Sequence, residues 1–361
     1  MQMEPIREFY FDCAASAPVL PCAMEAIIQA TGTAVSPSVR AISYGNPNSV
    51  HSRGRDARAD LEIARTKIAE CIGAEPNEIF FAPSATAACH SVVDLLEIRH
   101  CSDHEHQAVR DACTSIFRIL SHDDDAYAHI LASNETGEIF VDEVKELVAS
   151  GKTVFTDATA AMGHIPINVK KLGVAALAAG GHKFGAPPGI GFLYVKGGVA
   201  EYQISERDFT FPGTPPVALA GALASALEYR TRRMEVANRY LYGQRQQLID
   251  SLLEIPGAHI NCADKPCLPN ILSVRFDGIN ARELLTLMDV NGLCASAGSA
   301  CHAEDDRPSA ALLAAGLSEA EARSTIRLSW CEETCETDFV SCWLIIRDCV
   351  ERLRTLGGMP V

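Results

Sequence analysis

Between residues 55 and 240 the chain alternates short apolar runs with stretches of helical character. Chains that alternate strands and helices favour a mainly parallel sheet covered by helices on both faces. Ligands of such α/β sheets bind at the carboxyl ends of the strands, where loops and helix N-termini meet. The predicted strands are residues 78–82, 128–133, 153–158, 174–179 and 191–195.

A second pattern begins after the composition changes near residues 209–218. It consists of a long helix predicted over 217–253, followed by strands and a shorter helix, which is an α+β layout. The sequence therefore predicts a large α/β domain at 15–245 and a smaller α+β domain formed by 1–14 and 246–361. The elements expected in the smaller domain are strands at 270–276 and 324–330 and a helix at 281–290.

The charge and composition exclude some functions. The net charge is −15 and the 31 Lys and Arg residues form no cluster, which argues against a nucleic-acid or anionic-membrane surface. No apolar run approaches the roughly 20 residues that span a bilayer, and the first ten residues do not resemble a secretion signal. We expect a cytoplasmic protein with no membrane or direct nucleic-acid contact.

Fourteen cysteines are scattered along the 361 residues, which is typical of reduced thiols in a large enzyme. Cys331, Cys335, Cys342 and Cys349 follow one another near the C-terminus. A seven-residue gap on a helix rises about 10.5 Å, too far for thiolates on one zinc ion. The spacing predicts one buried helix face and no metal site.

Polar residues follow several predicted strands. Asp157 ends one strand, Asn134 follows another, and Lys183 follows a third after two glycines. Singly, such residues cap helices, form turns or point to water. A lysine surrounded by glycine, alanine and proline loses hydration, which favours the neutral amine that forms Schiff bases.

Taken together, these residues indicate pyridoxal 5'-phosphate (PLP). This cofactor needs a lysine, a carboxylate that holds its ring nitrogen protonated, and donors for its phosphate. Lys183 and Asp157 meet the first two needs. The turn at Ser84–Thr86 precedes a predicted helix, whose N-terminus can bind the phosphate.

Nine segments in sequence resemble the cysteine desulfurases, class V aminotransferase-like enzymes of the fold type I PLP group. The resemblance covers nearly the whole chain and implies the fold type I architecture and a PLP cofactor. The segments are FYFDCAASAP, GNPNSVHSRGRDARADLEIAR, EIFFAPSATAA, DHEHQAV, SNETG, DATAAMGHIPIN, GGHKFGAPPGIGFLYV, SAGSACHA and STIRLS.

The resemblance implies roles around the cofactor ring. Lys183 would bind PLP covalently and move protons, and Asp157 would pair with the pyridine nitrogen. His106 would stack on the ring and take part in acid–base steps. Asn134 would bond near the ring hydroxyl and to the substrate.

It also implies roles at the phosphate. Thr86, the backbone at Ala85, and His182 would hold it within one subunit. Thr214 would reach the phosphate of the neighbouring subunit, which implies a homodimer.

For the substrate, L-cysteine, the resemblance implies that Arg327 grips the carboxylate in a two-pronged contact. Cys301 would be the nucleophile that takes sulfur as a persulfide and passes it to an acceptor protein. The residues around Cys301, ASAGSACHAED, are small or acidic, which favours an exposed loop over a buried structural cysteine.

Three departures from the family pattern lie at the cofactor site. Ala160 stands in place of a glutamine and Gly180 in place of a serine or threonine, which would each remove a hydrogen bond, and Ser84 stands in place of a glycine in the phosphate turn. The arginine that usually precedes the Gly213–Thr214 pair is also absent. At about 1 kcal/mol for each neutral hydrogen bond, three losses would weaken binding about a hundredfold. The sequence thus indicates a divergent member of the family.

Two other functions stay open. One is a PLP-dependent lyase of cysteine, cystine or selenocysteine that forms no obligatory persulfide. The other is a non-catalytic relative that acts as a binding subunit. The sequence specifies neither the sulfur acceptor nor a preference between cysteine and selenocysteine.

Overall fold

The computed structural model describes residues 8–31, 45–115, 125–197, 214–298, 307–334 and 339–357. Contacts between Cα atoms divide the chain into two compact units. The large unit comprises Pro18–Leu131 and Phe140–Met234, and the small unit comprises Met1–Ala17, Ala132–Ile139 and Glu235–Val361. The domain boundaries drawn from the sequence stay a prediction, and they did not assign residues 132–139 to the smaller part.

The secondary structure alternates as expected. The strands in the described ranges are β1 Phe9–Tyr10, β2 Ile79–Ala82, β3 His100–Cys101, β4 Ala126–Ala128, β5 Thr153–Asp157, β6 Ala176–Gly180, β7 Gly191–Val195, β8 Ala258–Ile260, β9 Ile271–Phe276, β10 Leu293–Cys294 and β11 Thr325–Ser329. The helices there are α1 Pro21–Thr31, α2 Ser52–Ile72, α3 Ala85–Leu95, α4 Gln107–Ser115, α5 Val141–Ala149, α6 Val169–Leu172, α7 Val217–Leu252, α8 Ala281–Val290, α9 Ala310–Ala314, α10 Glu319–Arg323 and α11 Phe339–Leu356.

The large unit is built on a six-stranded sheet in the order β2-β7-β6-β5-β4-β3. Strands β3 to β6 are parallel, and β7 runs antiparallel to both of its neighbours. The mainly parallel sheet predicted from the sequence is therefore present. Burial explains the apolar runs, because every residue of β2, β6 and β7 is buried.

One predicted strand of the large unit is displaced. The run at 128–133 was expected to be a strand, but β4 ends at Ala128. Two amides beyond it still bond to the next strand, His129 to the Phe155 carbonyl and Leu131 to the Asp157 carbonyl. The chain then enters the small unit, where Ala132 forms an isolated bridge with Ile139.

The small unit contains two small sheets. Strands β11, β9 and β8 form an antiparallel sheet in that order, and β1 pairs in parallel with β10. Aromatic side chains fill the core, with the Phe11 ring 6.0 Å from Trp330 and 5.4 Å from Phe339. Aliphatic residues of α7, α8 and α11 complete this core.

The prediction that four C-terminal cysteines share one helix face is wrong for Cys331. Cys342 and Cys349 are buried on α11, as expected. Cys331 instead follows β11, and its Sγ lies 3.4 Å from the Sγ of Cys13. Cys335 lies outside the described residues. The one-face prediction therefore holds for Cys342 and Cys349.

The described ranges contain no helix with the length and apolar character needed to cross a membrane. No group of three or more His, Cys, Asp or Glu side chains in those ranges is arranged to hold a metal ion.

The core of the small unit predicts a large stability loss for Phe276→Ala. Phe276 on β9 is fully buried, so the truncation removes aromatic packing and leaves a cavity. We expect the free energy of unfolding to fall by about 3–5 kcal/mol, measured by urea denaturation. Val290→Ala, at a position 66% exposed on α8, is the control and should change it by less than about 0.5 kcal/mol. Equal effects of the two substitutions would contradict the assigned core.

Candidate active site

Lys183 lies just after the end of β6. The strand ends at Gly180, and residues Gly181–Lys183 form a single 3-10 turn. A Cβ atom on Gly181 would lie 2.6 Å from Leu223 Cδ1 and 2.9 Å from Ala186 Cβ. Only glycine lets this turn pack so closely. The close packing fixes the backbone position from which the half-buried Lys183 side chain extends.

Asp157 ends β5, the neighbouring parallel strand, opposite Ala178 of β6. Its side chain is 5% exposed, and Oδ1 accepts a hydrogen bond of 2.8 Å from the Thr159 amide. Within the described part of the chain, Oδ2 makes no hydrogen bond. The carboxylate is thus held by the backbone, with one oxygen available to a cationic ring nitrogen.

The predicted phosphate turn is the start of α3. The Ser84 side chain caps the helix by accepting from the Ala87 amide at 3.1 Å. The amides of Ala85 and Thr86 come first in the helix, so they have no intrahelical acceptor and can bind an anion. A Cβ on Gly191 would lie 3.3 Å from the Ala85 nitrogen, so this turn packs directly on the strand ends.

His182 and His106 also lie in the large unit. Burial, followed by the neighbouring Lys183 charge, lowers the pKa of His182, so its neutral form is favoured. His106 precedes α4, and its Nδ1 accepts from the Ala108 amide at 3.2 Å. Its stacking on the cofactor ring stays a prediction.

Glu105 is a residue that sequence reasoning missed. It is 3% exposed, its Oε2 accepts from the His106 amide, and its Oε1 has no partner among the described residues. Burial, with the nearby Asp157 charge second, raises the pKa of Glu105 well above its usual range. A neutral Glu105 avoids a second buried negative charge beside Asp157. An acid directly before the predicted stacking histidine was the available signal.

Arg230 of α7 holds the backbone just after Lys183. Its Nε donates to the Phe184 carbonyl at 3.2 Å. A Cβ on Gly163 would come within 3.0 Å of Arg230 Cβ, so the segment after Asp157 packs on the same arginine. Burial, followed by the Arg230 charge, lowers the pKa of His164 to about 3.

Arg327 lies on β11 in the small unit and is 1% exposed. Its Nη2 forms an ion pair of 2.6 Å with Asp12 Oδ1, and its Nη1 donates to the Asn134 carbonyl at 2.8 Å. Its Nε has no partner in the described ranges. The planar guanidinium is therefore fixed from two sides and keeps further N–H donors for a carboxylate.

The predicted site residues thus form two groups. Asp157 ends β5 and Lys183 follows the end of the adjacent β6 in the large unit, and the charges of both affect the pKa of the buried Cys89 of α3. Asn134 and Arg327 meet in the small unit. Thr214 is exposed, and its hydroxyl accepts from the Asn46 amide group at 3.3 Å. Cys301 lies outside the described residues.

The large-unit residues fit PLP. A buried carboxylate with an available oxygen suits the pyridine nitrogen, and the first amides of α3 suit the phosphate. His182 and Lys183 follow the end of β6. In the sheet, β6 lies between β5, which ends at Asp157, and the strands beside the start of α3. None of the three departures from the family pattern removes the carboxylate, the lysine or the helix N-terminus.

The resemblance alone predicts that a family-like serine at position 180 tightens PLP retention. A Cβ on Gly180 would lie 3.1 Å from Ala85 Cβ, a tight contact that favours the opposite outcome. We therefore expect Gly180→Ser to release PLP about tenfold faster, because crowding of about 1–3 kcal/mol displaces the phosphate turn. Absorbance after gel filtration measures the release. Adding Ala85→Gly should restore retention, and slower release by Gly180→Ser would contradict the assigned crowding.

The buried His164 predicts acid sensitivity. Its pKa of about 3 lies below the unfolded value near 6.5, so the unfolded chain binds an extra proton between these values. The free energy of unfolding should fall by about 1.4 kcal/mol for each pH unit as the pH drops through that window. His164→Gln should remove this part of the slope in urea titrations at pH 6.5, 5.5 and 4.5. The exposed His90→Gln is the control, and an unchanged slope in His164→Gln would refute the assignment.

Comparisons with known proteins agree with this arrangement. The family profile of the class V aminotransferases matches residues 9–109 and 96–339. An IscS-like cysteine desulfurase of Mycobacterium tuberculosis is 32% identical over 96% of this chain and 97% of its own length. A NifS-like protein of known structure has a TM-score of 0.80 and 26% identity, over 96% of this chain and all of its own. The structure of SspA in complex with cysteine has a TM-score of 0.70 and 25% identity, over 89% of this chain and 98% of its own. The chain therefore belongs to the class V aminotransferase family, among the cysteine desulfurases of the IscS and NifS type.

Proposed function

We propose that this cysteine desulfurase converts L-cysteine to L-alanine and holds the sulfur as a persulfide on Cys301. The observation that carries the proposal is that Asp157 ends β5 while Lys183 lies in the turn just after the adjacent parallel strand β6. Each is a residue that PLP enzymes require, and the register of β5 and β6 brings both to one edge of the sheet. The likeness to cysteine desulfurases over nearly the full chain supports cysteine as the substrate.

PLP, when bound, supplies the electron sink that weakens bonds at the substrate Cα. Asp157 would hold a proton on the ring nitrogen through its available Oδ2. Lys183 moves a proton to and from the substrate carbon. Thr86, the backbone at Ala85, and His182 would hold the phosphate, and His106 would contact the ring.

Arg327 binds the substrate carboxylate. Its guanidinium is already oriented by Asp12 and the Asn134 carbonyl, so little conformational freedom is lost on binding. The planar fork of arginine matches a carboxylate in a way that lysine cannot. The Asn134 side chain adds a second polar contact to the substrate.

Cys301 acts as the nucleophile. Its thiolate attacks the substrate sulfur, a sulfur–sulfur bond forms, and the carbon–sulfur bond of cysteine breaks. The carbon framework takes the bonding electron pair and a proton and leaves as alanine. One cysteine and one thiol thus give one alanine and one persulfide, with no external oxidant.

The partners follow from the same chemistry. A persulfide needs an acceptor, and we propose an acceptor protein that takes the sulfur from Cys301. We also propose a homodimer in which Thr214 reaches the phosphate site of the neighbouring subunit. A reducing cytoplasm suits a chain whose described cysteines are all free thiols.

The decisive substitution is Cys301→Ser. We expect the variant to bind cysteine and change the cofactor absorbance, yet release alanine at least a hundredfold more slowly, because a hydroxyl cannot accept sulfur. Alanine and sulfide are assayed under reductant, and the persulfide is mapped by mass spectrometry. The matched control is Cys71→Ser, a half-buried cysteine of α2.

Each rival function has its own outcome in this assay. Full activity of Cys301→Ser would overturn the persulfide step, and pyruvate with ammonia from the wild type would show a lyase. A wild-type protein that stays colourless after reconstitution with PLP would show a non-catalytic relative.

A further inference from the structure

Glu135 follows Asn134 in the short segment that the small unit takes from the middle of the chain. It is 8% exposed, and its Oε2 accepts a 2.5 Å hydrogen bond from the Ser309 hydroxyl. Ser309 is the N-cap of α9, where its Oγ also accepts from the Leu312 amide. The buried carboxylate is therefore tied to the start of that helix.

The same carboxylate packs against Gly298. A Cβ built on Gly298 would lie 2.9 Å from Glu135 Oε2, and the residue has a φ of +117°. The positive φ favours glycine there, and a side chain would also displace the Glu135 carboxylate. Gly298 directly precedes residues 299–306, which include Cys301, and Ser309 comes three residues after them. Glu135 thus contacts one residue on each side of the segment that contains the proposed nucleophile. We call these two residues, Gly298 and Ser309, the anchors of that segment.

Arg327 is linked to these anchors by two routes. Its backbone amide and carbonyl exchange hydrogen bonds of 2.6 and 3.2 Å with Ser296, whose hydroxyl donates to the Gly298 carbonyl at 3.0 Å. Its guanidinium donates to the carbonyl of Asn134, the residue next to Glu135. One route therefore reaches Gly298 and the other reaches Glu135.

We propose that Glu135 is a positioning residue. It couples the guanidinium of Arg327, which binds the substrate carboxylate, to Gly298 and Ser309, the two anchors of the Cys301 segment. The inference rests on the proposed function and adds a residue to it. A hydrogen bond to a buried charged group is stronger and more directional than a neutral one, so Glu135 limits where the anchors can lie. Its loss should slow sulfur transfer and leave cysteine affinity nearly unchanged.

The test separates these two quantities. Glu135→Gln keeps the size of the side chain but removes its charge, and Ser309→Ala removes the donor. The cofactor absorbance change on cysteine addition gives the half-saturating concentration, and single-turnover alanine formation gives the rate. We expect each variant to form alanine about tenfold more slowly, equivalent to about 1.4 kcal/mol, with the half-saturating concentration changed less than threefold. The double variant should be no slower than the slower single one, because both remove the same bond.

Three matched substitutions isolate the contact. Ser318→Ala removes the N-cap of α10 and controls for the helix cap that Ser309→Ala also loses. Glu138→Gln neutralises an equally buried acid of the same segment, whose carboxylate accepts from the Cys262 thiol and pairs with Lys265. Both should keep wild-type alanine formation. Ser309→Thr keeps a hydroxyl and should restore most of the rate.

Mass spectrometry of the cysteine-treated variants provides a readout beyond turnover, since the persulfide on Cys301 should appear more slowly in Glu135→Gln. Wild-type rates in both single variants, additive losses in the double variant, or a half-saturating concentration that rises in step with the rate loss would overturn the inference. If the wild type forms neither alanine nor persulfide, the proposed function fails instead.

Discussion

The register between β5 and β6 is the constraint on which the large unit depends. Parallel pairing sets Asp157 opposite Ala178, so the carboxylate and the turn that bears Lys183 occur at the same edge of the sheet. A shift of one residue in either strand would turn the side chains of that strand to the other face of the sheet. The full burial of β6 and β7 protects this register, because any slip would expose apolar side chains or bury polar ones. The glycines at 180, 181 and 191 then let the phosphate turn and the lysine turn pack on the strand ends.

Much of the fold could be predicted because each prediction used a local pattern. Strand β7 and helix α8 have the predicted bounds, and α7 ends within one residue of its expected end. The positions of the polar residues at the strand ends could be predicted for the same reason, because a polar residue directly after an apolar run is easy to recognise in the sequence. Residues 132–139 could not be assigned, because membership of a unit is set by long-range contacts.

The residues that orient the site were harder to find than the residues that carry its chemistry. Asp12 lies far in sequence from Arg327, and only the folded chain shows their ion pair. Glu105 and Glu135 look like ordinary surface acids until their burial is known. The cysteine spacing near the C-terminus misled for a related reason: Cys331 lies before α11 and contacts Cys13 at the other end of the chain. Sequence periodicity contains no information about such partners.

The thiol contact between Cys13 and Cys331 has a consequence for an enzyme that handles reactive sulfur. The hydrogen bond that the Cys13 thiol donates to Cys331, followed by burial, raises the pKa of Cys13 far above its usual range, so its protonated form is favoured. Burial likewise raises the pKa of Cys89, of Cys262 to about 12 and of Cys349 to about 11. The thiol of Cys113 instead donates to the half-buried Cys101 and lowers the pKa of Cys101 to about 7. The fold thereby disfavours the thiolate form of these four cysteines and favours it at Cys101. If the proposed persulfide forms, Cys101 is therefore the one of these five that it would most readily modify.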